Sequence, residues 1–145
     1  MAFRFKLQKI LEYREQLEDQ ARVALARVQQ LHFEEERRNE ILQTLLTEQE
    51  HELYSNALLP PGERWLLEHF IRGVREDLQS SHMRLRTLAR MVAEAKKTLQ
   101  ERARDKKILE KLKARQREQH EREELSKEQR SYDETATLRF KAAYF

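Results

Sequence analysis

Only four residues of this chain, two prolines and two glycines, are strong breakers of secondary structure, and three of them stand together as Pro60, Pro61 and Gly62. Gly73 is the fourth. A β-sandwich needs a turn roughly every 8 to 12 residues, and a doubly wound α/β domain needs loops between many elements, so both are excluded over 145 residues. The chain must consist of very few, very long segments. Its composition, 38% charged with abundant Leu, Ala, Glu, Gln and Arg, is that of a long helix or coiled coil.

Alternate steps of four and three residues from Phe3 reach Leu7, Ile10, Arg14, Leu17, Ala21, Ala24, Val28, Leu31, Glu35, Arg38, Leu42, Leu45, Gln49 and Glu52. Ten of these fifteen are apolar, and Leu11, Leu25, Ile41, Leu46 and Leu53 flank them, which marks a 3.5-residue repeat. The spacing predicts a first helix over about 3–56, roughly 80 Å long at 1.5 Å per residue. The Pro-Pro-Gly segment predicts a turn at 57–62. Beyond it the same stepping gives Leu67, Ile71, Val74, Leu78, Ser81, Leu85, Leu88, Val92, Ala95, Leu99, Arg102, Lys106 and Leu109, with Leu112 beside the stripe. A second helix over about 63–138 follows, its apolar seam fading after residue 112.

Folding about residues 59 and 60 sets residue i opposite 119 − i, so that Leu7 meets Leu112, Ile10 meets Leu109 and Leu31 meets Leu88. The two stripes then end together. The expected fold is all-α: one domain over 1–145, a long antiparallel two-helix coiled-coil hairpin with a C-terminal helical overhang from about residue 117. Polar residues break the seam at two places. Glu35 and Arg38 fall opposite Arg84 and Ser81, and Arg14 and Leu17 fall opposite Asp105, Lys106 and Arg102. Such layers fix register in coiled coils.

With no cysteine, there can be no disulfide framework, thiolate metal site or cysteine nucleophile. No apolar run approaches the roughly 20 residues that span a bilayer, and the N-terminal residues lack the apolar run of roughly 7 to 15 residues of a secretory signal. A cytoplasmic protein without direct membrane insertion is expected. Catalytic patterns are missing too. His51 has Ser55 where the zinc-protease helix motif needs its second histidine, Glu48-x-x-His51 stands alone, and two glycines cannot build a phosphate-cradling loop. No catalytic residue, metal ligand or cofactor is expected.

Charge divides the chain. Residues 84–117 hold 13 basic against 4 acidic side chains, and residues 32–56 hold 2 against 7. A solvated helix face accounts for such runs, and an acidic protein partner is the functional alternative. Nucleic acid is disfavoured because no aromatic-interleaved or zipper-preceding basic motif is present. The aromatic residues collect at two places: Tyr54, Trp65 and Phe70 near the turn, and Phe3, Phe5, Phe140, Tyr144 and Phe145 at the chain ends. Aromatics anchor protein interfaces, so both places are candidate binding surfaces.

Three segments carry a family resemblance: Phe-Arg-Phe-Lys-Leu-Gln-Lys-Ile-Leu-Glu-Tyr-Arg-Glu (Phe3 to Glu15), Arg64-Trp65 opening the second helix, and Tyr-Asp-Glu-Thr-Ala-Thr-Leu-Arg-Phe (Tyr132 to Phe140). In these and in its length and hairpin plan the chain resembles the flagellar export protein FliJ family. The resemblance implies a stalk-like, non-enzymatic component of the flagellar type III export apparatus. Its implied partners are the hexameric export ATPase, the membrane export gate protein and export chaperones. It also implies a chain that is monomeric alone and peripheral to the inner membrane. Carried onto this sequence, Phe3, Phe5, Leu7, Arg104, Lys107, Lys111 and Phe140 would face the ATPase. Leu42, Leu46, Tyr54, Trp65, Phe70 and Val74 would face the gate. The stalk of a virulence type III secretion system and a generic coiled-coil scaffold are the alternatives.

Overall fold

In a computed structural model, described over residues 2–144, the chain is all-α: two long helices pack antiparallel as a hairpin. Helix α1 spans Gln8–Ser55 and α2 spans Pro61–Tyr144. Contacts group the chain into two units, one of residues 1–18 with 101–145 and one of residues 19–100.

The helix ends differ from the sequence expectation for identifiable reasons. Residues 3–7 are not helical. The Gln8 N–H donates to the Phe5 carbonyl at 3.2 Å and the Leu11 N–H to that of Leu7 at 2.9 Å, so a tight turn starts α1. No acidic residue lies in its first turn to favour extension toward the N-terminus, and two aromatics are weak helix formers. The segment instead runs as a strap that buries Phe5 at 5% exposure. At the turn, Asn56 Oδ1 accepts from the Leu58 N–H at 3.3 Å, a local bond that asparagine supplies readily. α2 begins two residues earlier than expected because Pro61 occupies the first helical position, where its missing N–H costs nothing. The Pro60 carbonyl accepts from the Arg64 N–H at 2.9 Å, and Glu63 meets the positive end of the helix dipole. At the other end, helix-forming composition carries α2 past 138 to Tyr144. Of the terminal aromatics, Phe145 and the side chain of Tyr144 lie outside the described residues.

The seam of α2 follows the sequence reading: Ile71, Val74, Leu78 and Ser81 are buried, and Leu85, Leu88, Val92, Ala95, Leu99, Arg102, Lys106 and Leu109 are half-buried. The seam of α1 is half right. Arg14, Leu17, Ala21, Val28, Glu35, Leu42, Leu45 and Gln49 are covered as expected, but at the alternate positions the cover extends or moves to the next residue, to Leu11, Glu18, Leu25, His32, Asn39, Leu46 and Leu53. Ile10 is 46% exposed beside Leu11 at 3%, and Leu31 is 45% exposed. The expected facing of Leu31 with Leu88 is therefore replaced by a covered His32. Gly73 does not interrupt α2, and a Cβ built there would meet nothing within 4 Å.

Candidate interaction surfaces

The buried polar positions decide which side chains remain for partners. In unit 2, Asn39 is 6% exposed and Ser81 fully buried, and the Asn39 Nδ2 donates to Ser81 Oγ at 3.2 Å. Gln43 Nε2 donates to Asn39 Oδ1 at 2.9 Å. Ser81 also hydrogen-bonds Glu35, whose Oε1 accepts from Arg84 Nε at 3.1 Å. Partial desolvation pushes the Glu35 carboxyl up, but the bonds from Ser81 and Arg84 and the charges of Arg84 and Arg38 outweigh it. They hold the group below its ordinary value. Every member of this layer has a partner, so the layer fixes register instead of opening the seam. The expected Glu35–Arg84 pairing is present, whereas Ser81 is met by Asn39, not Arg38.

Unit 1 repeats the device. Arg14 Nη1 lies 3.4 Å from Asp105, at the expected pairing, and Lys106 Nζ lies 2.7 Å from Glu18 instead of facing Leu17. The Glu18 carboxylate raises the Lys106 ammonium above its ordinary value against an opposing desolvation. Lys113 Nζ donates to Gln8 Oε1 at 2.8 Å, closing the start of α1 onto α2.

Of the residues assigned to the ATPase, Phe5 is core and Leu7 half-buried. Phe3 is half-buried against α2, with the Arg117 guanidinium 5.5 Å over its ring and the His120 ring 5.7 Å away. Sequence reading missed both partners, because only the break at residues 3–7 brings Phe3 there. Arg4, Lys6 and Lys9 of the strap and of α1 line one shallow groove with Lys113 and Arg117 of α2. Arg104, Lys107 and Lys111 are exposed and share one face of α2, at spacings of three and four. Phe140 is 63% exposed.

Of the residues assigned to the gate, Val74 is buried and Leu42 and Leu46 are half-buried in the seam. Tyr54, Trp65 and Phe70 are exposed at 72%, 62% and 47%. Trp65 stacks on His69 one turn away, with ring centroids 5.3 Å apart. Arg75, unremarked in the sequence, bridges the helices: it donates to Glu50 at 2.7 Å and also hydrogen-bonds Tyr54, both of which raise its pKa. The expected pairing sets Thr44, not Glu50, opposite Arg75, so the sequence carried no signal for this bridge.

Among the described residues no group of three or more His, Cys, Asp or Glu is placed to hold a metal. No described helix is long and apolar enough to cross a membrane. A helical hairpin with polar layers in its seam, exposed basic faces and exposed aromatics fits a coiled-coil protein. The chain belongs to the FliJ family: the family model described as "Flagellar FliJ protein" matches residues 3–143. That membership makes it a flagellar, export-related protein, of a family that is a non-catalytic component of the export apparatus. No curated protein and no solved structure matches the chain.

Proposed function

We propose that this protein is the stalk of the flagellar type III export machine, binding and stimulating the hexameric export ATPase and linking it to the export gate and to export chaperones. The family match over residues 3–143 carries this reading. Unit 1 supplies the ATPase-facing side chains. Arg104, Lys107, Lys111 and Phe140 make direct contact, and Phe3, Phe5 and Leu7 shape the strap that holds Arg4 and Lys6 in one groove with Lys113 and Arg117. In unit 2, Tyr54, Trp65 and Phe70 meet the gate, while Leu42, Leu46 and Val74 set their backbone positions through the seam. The protein works in the cytoplasm, monomeric when alone, and reaches the inner membrane only through its partners.

The physical mechanism needs no chemistry from the chain. A basic surface that binds one nucleotide state of a ring subunit better than another shifts the ring toward that state by the difference in affinity. Hydrolysis then accelerates without any catalytic residue on the stalk. Adding the protein to the export ATPase should raise its hydrolysis rate along a saturating curve, while the protein alone hydrolyses nothing. An unchanged rate over concentrations at which the complex forms overturns the proposal.

A further inference from the structure

Past the strap, residues 121–143 of α2 are exposed apart from half-buried Glu124. The segment is nevertheless patterned. Leu125, Tyr132 and Phe140, at spacings of seven and eight, lie along one helix face and are 65%, 70% and 63% exposed. Where that face begins, Leu125 shares a groove with Phe3 of the strap, and Glu121, Glu124 and Glu128 form its walls. Phe3 is held there from behind by Arg117 and His120, so the aromatic edge of the groove is fixed by the fold. On the same wall His120 Nε2 lies 3.9 Å from Glu124 Oε1. The surrounding sequence changes sign at the same place: residues 118–134 hold seven acidic against three basic side chains, directly after the strongly basic 84–117.

We infer that the face of α2 running from Glu121 to Phe140, with Phe3 at its head, is a docking surface for a cationic amphipathic helix of another protein. Apolar side chains at a seven-residue spacing receive a partner helix ridge, as in helix-in-groove recognition. Twenty residues give a track of about 30 Å, enough for five turns of partner helix. Charge selects the occupant. Lysine or arginine flanking the partner's ridge would meet Glu121, Glu124 and Glu128, whereas a second copy laid parallel along the same face would set these carboxylates against their own counterparts. This surface shares only Phe140 with the residues proposed to contact the ATPase; Glu121, Glu124, Leu125, Glu128 and Tyr132 are distinct from the basic face of Arg104, Lys107 and Lys111, and their role stands whether or not that face binds an ATPase.

The test uses the full chain and a fluorescently labelled synthetic amphipathic helix of leucine, alanine and lysine, read by anisotropy. A matching peptide with glutamate for lysine is the control. The cationic peptide should saturate one site. Leu125→Ser with Tyr132→Ser, and separately Glu121→Lys with Glu124→Lys and Glu128→Lys, should each weaken it by about tenfold or more. Glu40→Lys with Glu48→Lys and Glu52→Lys, in the other acidic stretch, should change it by less than about twofold. The substituted side chains of α2 are exposed apart from half-buried Glu124, and circular dichroism should show unchanged helix content. Equal losses from the two charge reversals would reduce the effect to bulk charge and overturn the inference. So would indifference to the Leu125 and Tyr132 changes, equal binding of the glutamate peptide, or sedimentation showing self-association abolished by the same substitutions.

Discussion

Ser81→Ala removes one hydroxyl that is fully buried and serves two partners. Its Oγ accepts from Asn39, which is 6% exposed, and it hydrogen-bonds Glu35. A neutral hydrogen bond contributes about 1 kcal/mol and one to a charged group about 1.5 to 3 kcal/mol. Because Asn39 is also left with a buried unsatisfied donor, and Glu35 keeps Arg84, the net loss should be about 2 to 3 kcal/mol. For a chain of this length that lowers the melting temperature by roughly 6 to 9 °C. Converting the layer fully, with Asn39→Leu added to Ser81→Ala, should bring stability back to within about 1 kcal/mol of wild type, because no orphaned donor remains. Urea titrations followed by far-ultraviolet circular dichroism on the two single variants and the double variant measure the coupling. A Ser81→Ala variant within about 0.5 kcal/mol of wild type would refute the idea that this layer is a satisfied network.

Other outcomes follow from the same contacts. Lys106→Met leaves Glu18, at 5% exposure, without its ammonium and should cost about 2 kcal/mol in urea, with Glu18→Leu on the same background recovering most of it. Gly73→Ala should stabilise the chain by about 0.5 to 1 kcal/mol, since the site is helical and an added Cβ meets nothing within 4 Å; a lower melting temperature would show a contact there. Glu35 is held below its ordinary value of 4.5, so its contribution is present above that value and is lost as pH falls through the lower folded one. Glu35→Gln should therefore flatten the fall in melting temperature between about pH 5 and pH 3.

How far the sequence revealed this molecule differs between the two helices. In α2 the seam is mostly Leu, Ile and Val, broken by Ser81, Ala95, Arg102 and Lys106, with few rivals beside it, so the 3.5-residue spacing located it throughout. In α1 two phases of the same repeat compete. One collects Ile10, Leu17, Leu31 and Leu45, and the other collects Leu11, Leu25, Leu46 and Leu53 but includes Glu18, His32 and Asn39. Apolar counting prefers the first; the chain buries the second more deeply, exposing Ile10 and Leu31 and leaving Leu17 and Leu45 half-buried. The reason lies on the opposite helix, where Lys106 and Ser81 need partners, and Glu18 and Asn39 can supply them while Leu17 and Arg38 cannot. A register reading that matched polar residues across the seam, as it did for Glu35 with Arg84 and Arg14 with Asp105, could have chosen correctly. The strap was less legible. Phe3 fits a helical stripe by spacing, and only the tertiary sites at Arg117 and His120 favour breaking the helix before Gln8. The exposed aromatics near the turn were found because so few aromatics occur elsewhere in the chain. Arg75 escaped notice because a single arginine among many carries no signal of its own.

The stalk proposal is tested most directly by placing a photoreactive amino acid at Lys107 and at Lys111 in turn, and at Glu94 as a helix-surface control, then irradiating each variant with the assembled export ATPase. The account predicts nucleotide-dependent adducts to the ATPase from positions 107 and 111 and little from 94. Adducts absent at 107 and 111, or equally strong at 94, under conditions where the complex is intact, would contradict it.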